Sequence, residues 1–152
     1  MSKVEERLKN AGLTIPECPV PAASYIPVKR VGNFVFASGQ CSIVDGKLLY
    51  KGKVGEQVSE KDGYKSAQIA ALRCISSLKS IVDLDKLSIA KVNGYVQGID
   101  HYANQATVVN GASDLFVTAF GDNGRHARVA LGIAALPLDA SVEIEVIAYI
   151  ED

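Results

Sequence analysis

The chain has 152 residues, 48% of them hydrophobic, and its 16 Lys and Arg residues nearly balance its 17 Asp and Glu residues. A formal net charge of −1 gives no overall field that would hold nucleic acid or an anionic membrane, so any anion site is expected to be local. Three cysteines without a C-x-x-C pair, and only two histidines, argue against a disulfide framework or a zinc site. The charged N-terminus lacks the apolar core of a signal peptide, and no apolar run reaches membrane-spanning length. We therefore expect a single cytoplasmic domain over residues 1–152.

The first part of the chain predicts a short helix, an extended segment and a β-hairpin. Residues 4–11 have a polar helical pattern that ends before Gly12, and three prolines in the following stretch IPECPVPAA exclude a regular helix. The strand-like segments YIPVKRV and FVFASGQ are separated by Gly32-Asn33, a two-residue turn compatible with a hairpin. A third short strand is expected at residues 47–50.

The rest of the chain predicts two helices and three longer strands. Between residues 58 and 82, apolar side chains recur with helical spacing, at Ala67, Ala70, Ala71, Cys74, Ile75, Leu78 and Val82. A strand is expected over residues 90–99, a second amphipathic helix over 108–120, and two final strands over 127–134 and 142–150. The sequence GDN after the second helix supplies the glycine expected just beyond a helix end.

These elements predict an α+β fold with one mixed β-sheet. Two long helices cannot cover both faces of a five- or six-stranded sheet, so we expect both helices on a single face. In the last strand, Glu143, Glu145, Ile147 and Tyr149 alternate with a wholly apolar set and define a second face that is only partly polar. We expect this second face to be buried against another subunit.

The strand ARVALGIA places Arg128 on a face of small residues that includes Ala130. If the last two strands form an antiparallel hairpin with Val129 opposite Val142, Arg128 lies across from Glu143. In one interpretation, Arg128 binds a substrate carboxylate with its planar fork, the small residues leave room for the ligand, and Glu143 positions or activates water. In the other, the two side chains form a cross-strand ion pair on a wet sheet face. Periodicity does not decide between them.

Three blocks of the sequence resemble the RidA/YjgF superfamily of reactive-intermediate (imine/enamine) deaminases. The segment HARVALGIAALPLDASVEIEVIA resembles its C-terminal signature, in which Ala-Arg opens a strand, Leu-Pro follows, and Glu-Ile-Glu lies in the last strand. The segment YIPVKRVGNFVFASGQ is similar to the family's N-terminal hairpin, and Val109-Asn110 is a partial match at the second helix. The blocks run from Tyr25 to Ala148, and the chain looks like a branch close to the endoribonuclease L-PSP/chorismate mutase-like proteins.

The resemblance implies a chorismate-mutase-like fold and a homotrimer, formed through the open sheet face, with ligand clefts between subunits. Active members of the superfamily hydrolyse reactive enamines and imines to keto acids and ammonia, and no cofactor is required. By this resemblance, Arg128 binds the substrate carboxylate and Glu143 helps to place the attacking water. The other residues that the resemblance assigns to this pocket are Tyr25, Gly39, Asn110 and Ala130.

Several residues near these motifs depart from the family pattern or allow two interpretations. Ala130 stands where a cysteine is typical, and this change could alter the pocket and the substrate. His126 stands just before Ala-Arg, where a proline is common, and is interpreted as a neutral hydrogen-bonding or rim residue, with proton transfer as the alternative. Cys41 is interpreted as a small buried side chain, because no activating base is near it in the sequence. The alternative is that Cys41 is a nucleophile.

The sequence is compatible with three functions. The leading hypothesis is hydrolytic deamination of small imino acids, and the second is a regulator that binds a keto acid through the same arginine without turnover, because fold does not transfer activity. The third is the endoribonuclease or translation-inhibitor activity often attached to the superfamily. A near-neutral charge and the lack of an aromatic-basic RNA platform argue against it. We therefore expect a small carboxylate-bearing metabolite as the ligand, and neither membrane nor nucleic acid.

Overall fold

The structure is a computed structural model that describes residues 1–152. Its α-helices are α1 (Lys3–Asn10), α2 (Glu60–Lys79) and α3 (Gln105–Phe120), and none of them is long and apolar enough to cross a membrane. Its strands, in chain order, are β1 (Val28–Val31), β2 (Phe34–Gln40), β3 (Ile43–Val44), β4 (Lys47–Leu48), β5 (Leu87–Gln97), β6 (Ala127–Ile133) and β7 (Val142–Ile150). The predicted helices and strands are all present, although α3 begins at Gln105 and not at residue 108.

Local sequence signals explain where several of these elements begin and end. The hydroxyl of Ser2 accepts a hydrogen bond from the Glu5 backbone, and the Glu5 carboxylate accepts one from the Ser2 backbone, which forms a capping box at α1. Ser59 caps the start of α2 through its side chain. Gly32 in the β1–β2 turn and Gly121 just after α3 both adopt positive φ, at 60° and 64°, a conformation that favours glycine.

Five strands form one mixed sheet in the order β1-β2-β7-β5-β6, and β3 pairs with β4 in a separate small hairpin. Only β5 and β6 are parallel within the large sheet. Both long helices pack on the same side of this sheet: Cys74 of α2 donates its thiol to the Ile144 carbonyl of β7 at 3.3 Å, and Gly94 of β5 lies directly under Val109 of α3. The prediction of a mixed sheet with two main helices on one face is confirmed.

The last two strands are not neighbours, so the predicted pairing of Arg128 with Glu143 is wrong. β5 lies between them, with Arg128 opposite Val92 and Glu143 opposite Tyr95. The physical reason is that the chain runs from β5 through helix α3 to β6. Such a strand–helix–strand crossover places the second strand parallel to the first. An ion pair between Arg128 and Glu143 across two adjacent strands is therefore excluded, as is a single patch containing both.

The loop between β6 and β7 carries the chain past the end of β5. Gln97, the last residue of β5, holds this loop with both ends of its amide. Its Nε2 donates to Asp139 Oδ1 at 2.6 Å, and its Oε1 accepts from the Leu136 backbone N–H at 2.7 Å. Because the Gln97 side chain is almost fully buried, these bonds satisfy an amide that would otherwise be costly to bury.

The helix-covered face of the sheet contains the core, and the other face is open. The β7 residues on the helix side are at most 1% exposed and are Val142, Ile144, Val146 and Ala148. The residues between them lie on the open face and are half buried: Glu143, Glu145, Ile147 and Tyr149. Phe34, Phe36 and Leu131 lie on the same open face with exposures of 46%, 42% and 45%. The open face is thus partly apolar, as the alternation in β7 predicts.

Candidate functional site

Two side chains of α3 hold Arg128 on the helix side of β6. Its Nη1 donates to Asn110 Oδ1 at 2.8 Å and to Ser113 Oγ at 3.2 Å. The Nε and Nη2 groups make no hydrogen bond within the chain, and the side chain is half buried. A guanidinium can bind a carboxylate with two parallel hydrogen bonds along one edge. The edge formed by Nε and Nη2 is available for such a pair.

A series of hydrogen bonds continues from Arg128 into the turn before β6. Ser113 Oγ lies 2.8 Å from His126 Nε2, and His126 Nδ1 lies 2.7 Å from the carbonyl oxygen of Gly124. The imidazole also meets the Phe116 ring edge-on, with centroids 6.0 Å apart. Both ring nitrogens of His126 make a hydrogen bond, as expected of a hydrogen-bonding group. Ser113 was not predicted as a site residue from the sequence, although its position three residues after Asn110 places both side chains on one face of α3.

The two small residues that follow Arg128 on the same face of β6 differ in their surroundings. Ala130 is partly buried and packs against the core. A Cβ atom on Gly132 would lie only 2.9 Å from Nε2 of Gln105, whose amide donates to the Tyr102 carbonyl at 2.6 Å. Gly132 therefore accommodates a side chain of α3, and together with Gln105 it lines a pocket of about 220 Å³.

Glu143 lies on the open face beside Gly39 and Cys41. A Cβ atom at Gly39 would lie 3.0 Å from both Cδ and Oε2 of Glu143, so a side chain there would press on the carboxylate. The Cys41 thiol donates to Glu143 Oε1 at a sulfur–oxygen distance of 3.6 Å. The structure therefore brings together Gly39 and Glu143, two of the residues that the family resemblance assigns to the pocket.

Cys41 is held as a protonated thiol. Its burial, followed by the negative charge of Glu143, raises its pKa to about 12. Because the thiolate is the reactive form of cysteine, this environment opposes nucleophilic attack by Cys41 at neutral pH. The interpretation of Cys41 as a small buried side chain agrees with this environment, and the buried Cys74 lies in the core as predicted.

Tyr25 borders a groove of about 500 Å³ on the open face, which Phe36, Ser38 and Glu145 also line. Glu145 accepts hydrogen bonds from Asn93 Nδ2 at 3.0 Å and from the Tyr95 hydroxyl at 2.5 Å. The bond to Glu145 is the main reason why the pKa of Tyr95 is raised to about 12. Sequence reasoning did not assign Glu145 to the site, although its spacing of two residues from Glu143 places both carboxylates on one sheet face.

The residues predicted for one pocket are divided between the two faces of the sheet. The helix-side set consists of Arg128, Asn110 and Ala130, and the open-face set consists of Glu143, Gly39 and Tyr25. The first set offers a fixed guanidinium for an anion, and the second offers a carboxylate that could accept a proton. No group of three or more His, Cys, Asp or Glu side chains is arranged to hold a metal ion.

Comparisons with known proteins identify the family to which this chain belongs. The model of the YjgF/chorismate mutase-like family, whose description adds endoribonuclease as a provisional activity, matches residues 5–150. Protein TCP17 of Trypanosoma cruzi is 31% identical over 153 residues, covering 99% of this chain and 96% of that protein. A 2-iminobutanoate/2-iminopropanoate deaminase of Dermatophagoides farinae is 27% identical over 143 residues, covering 91% of this chain and 95% of that protein.

A solved structure agrees with these matches along nearly the whole chain. A protein of unknown function from Agrobacterium tumefaciens has the same fold, with a TM-score of 0.92 and 38% sequence identity. The similarity covers 98% of this chain and 93% of that one. With a family model that spans all but a few terminal residues, the chain belongs to the YjgF/chorismate mutase-like family.

Proposed function

We propose that the protein hydrolyses small imino acids, or their enamine tautomers, to keto acids and ammonia. The observation that carries this proposal is the state of Arg128: Nη1 is fixed by Asn110 and Ser113, while the Nε–Nη2 edge is free to bind a substrate carboxylate. A guanidinium that is already oriented loses less freedom when the ligand binds. The name of the Dermatophagoides relative, an imine deaminase, adds support for this reaction class.

The proposed site lies between two copies of the chain in a homotrimer. Arg128 and Asn110 of one copy would face Glu143, Gly39 and Tyr25 of the next. Two features support this arrangement: the two sets lie on opposite faces of the sheet, and the open face exposes large apolar side chains. Contiguous exposed apolar surface is typical of an interaction face, and homo-oligomers of closed symmetry are the common form of such assemblies.

The proposed chemistry needs an oriented substrate and one group that moves protons. Water adds to the carbon of the C=N bond, and the π electrons move to nitrogen as the new C–O bond forms. Glu143 transfers one proton of this water to the nitrogen, which gives a carbinolamine. Transfer of the hydroxyl proton to the same nitrogen then breaks the C–N bond and releases ammonia and the keto acid. Arg128 holds the carboxylate so that the reacting carbon faces the water.

An ammonia-release assay tests this proposal directly. 2-Aminoacrylate or 2-iminobutanoate is generated in situ, and its decay is followed with and without the protein. We expect an acceleration that disappears in Arg128→Ala and persists in Arg125→Ala, a matched removal of an exposed arginine three residues earlier. An unaccelerated decay across several imino acids would reject the deaminase proposal.

Binding without turnover is the second candidate function. Its support is that the anion anchor of Arg128, Asn110 and Ser113 is complete within one chain, whereas Glu143 lies on the other face. A keto acid that binds with an Arg128-dependent affinity, together with unchanged imine decay, would favour this regulator over the enzyme.

A further inference from the structure

We propose that Ser113 and His126 are positioning residues, which hold the Arg128 guanidinium in the orientation that a carboxylate ligand requires. This inference rests on the proposed function of Arg128 as the carboxylate anchor. Ser113 contacts Arg128 directly and His126 contacts Ser113, and neither Ser113 nor His126 belongs to the set that the family resemblance assigns to the pocket.

The hydrogen bonds determine where the protons of this series lie. The carbonyl oxygen of Gly124 can only accept, so the 2.7 Å contact requires a hydrogen on His126 Nδ1. In a neutral imidazole with Nδ1–H, Nε2 is an acceptor, and the Ser113 hydroxyl donates to it. The Ser113 oxygen is then free to accept from Arg128 Nη1. In this neutral tautomer all donors point one way, from Arg128 through Ser113 and His126 to Gly124.

This series fixes the guanidinium because both hydrogens of Nη1 have partners. Asn110 Oδ1 takes one and Ser113 Oγ takes the other. Arg128 lies on an edge strand and is half exposed, so a side chain without these bonds would sample several rotamers. Ordering those rotamers would then weaken ligand binding.

The far end of the series is anchored in tightly packed backbone. Gly124 is buried, and a Cβ atom there would lie 2.1 Å from the carbonyl oxygen of Phe116, so the turn lies directly on the last part of α3. The Phe116 ring meets the imidazole of His126 edge-on. The orientation of His126 is thus set by the same helix that carries Asn110 and Ser113, and these contacts connect the α3 scaffold to the Arg128 side chain.

The tautomer of His126 gives a test that does not depend on activity. Long-range ¹H–¹⁵N spectra at pH 8 report both ring nitrogens, and the chain has only two histidines, so His101→Gln assigns the signals. We expect His126 to carry its hydrogen on Nδ1, and we expect Ser113→Ala to shift the Nε2 resonance because that nitrogen loses its donor. A hydrogen on Nε2, or an Nε2 resonance that Ser113→Ala leaves unmoved, would overturn the inference.

Calorimetric binding of 2-oxobutanoate, an unreactive keto acid, tests the functional consequence. Ser113→Ala and His126→Leu should each weaken binding by about tenfold, as for the loss of one hydrogen bond. His126→Gln keeps an acceptor near the Nε2 position and should restore most of the affinity, and Thr118→Ala on the exposed side of α3 is the matched control. In turnover, both damaging changes should raise KM more than they lower kcat, because the carboxylate is bound throughout the reaction.

The controls separate this inference from the proposed function. If Arg128→Ala abolishes 2-oxobutanoate binding while Ser113→Ala binds as tightly as the wild type, the positioning role is wrong and the anchor stands. If the wild type does not bind 2-oxobutanoate, the anchor itself is wrong, and the spectra still decide whether Ser113 donates to His126.

Discussion

Arg128 and Glu143 lie on opposite faces of the same sheet, and β5 separates their strands. Arg128 is opposite Val92, which is fully buried beneath the helices, whereas Glu143 is opposite Tyr95 on the open face. A small ligand held by Arg128 therefore cannot reach Glu143 of the same chain. If both residues act on one substrate, as proposed, the second one must come from another copy.

Mixed oligomers provide the sharpest test of this two-chain site. Arg128→Ala and Glu143→Gln subunits, each inactive alone, are unfolded together at equal amounts and refolded. We expect about one quarter of wild-type turnover, because random assembly of a closed ring pairs an intact Arg128 with an intact Glu143 at about one interface in four. The mass of the assembly in solution should be that of a trimer. Turnover that stays at the level of the separate variants would contradict a site shared between copies.

Arg128→Lys tests whether a positive charge alone is enough to bind the carboxylate of a ligand. A lysine ammonium keeps the positive charge but cannot form two parallel bonds to a carboxylate or use Asn110 and Ser113 in the same way. We expect both Arg128→Lys and Arg128→Ala to lose keto-acid binding, the alanine change by on the order of 2–5 kcal/mol. The melting temperature should change little, because the side chain is half exposed. A lysine variant that binds keto acids like the wild type would remove Arg128 from the site.

Glu143→Gln should lower turnover much more than it lowers ligand affinity. The amide preserves the shape and one acceptor oxygen beside Gly39, but it cannot carry the proton that the proposed hydrolysis moves. Turnover and 2-oxobutanoate binding are measured on the same preparation. Unchanged kcat would exclude Glu143 from the mechanism.

Cys41 should be unreactive and dispensable for catalysis. With its pKa raised to about 12, very little thiolate is present at pH 8, whereas Cys18 is exposed. We expect iodoacetamide at pH 8 to modify Cys18 and to spare Cys41, as read by peptide mass spectrometry. Cys41→Ser, which retains a donor to Glu143, should keep its turnover. Fast alkylation of Cys41, or a catalytically dead serine variant, would make it a nucleophile after all.

Glu5 should make the stability of the protein sensitive to acid. Lys79 Nζ donates to Glu5 Oε1 at 2.6 Å and the Ser2 backbone donates to Oε2 at 2.7 Å, and these bonds lower the Glu5 pKa from 4.5 to about 2. A lowered folded-state pKa contributes stability that is fully present above pH 4.5 and is lost as the pH falls toward 2. Urea unfolding at pH 7 and pH 3 should show a smaller acid loss in Glu5→Gln than in the wild type. Glu6→Gln, an exposed neighbour, should behave like the wild type.

The sequence by itself determined which segments form helices and strands and which side chains face the core. The alternation of β7 places Ile144 and Val146 inside and Glu143 and Glu145 outside, and the structure has the same arrangement. Such patterns can be predicted because each helix or strand has a fixed period, and this period determines which of its side chains lie on the buried face. The family motifs added Asn110, which does contact Arg128.

The neighbours of each strand were decided only by the tertiary structure. A hairpin of β6 and β7 would satisfy the same alternation, and the loop over residues 134–141 is compatible with either arrangement. The α3 crossover instead sets β6 beside β5, which moves Arg128 to the helix side and away from Glu143. The same packing brought Ser113 to Arg128 and His126 to Ser113. Contacts of this kind depend on how distant elements pack together, a property that no local period contains.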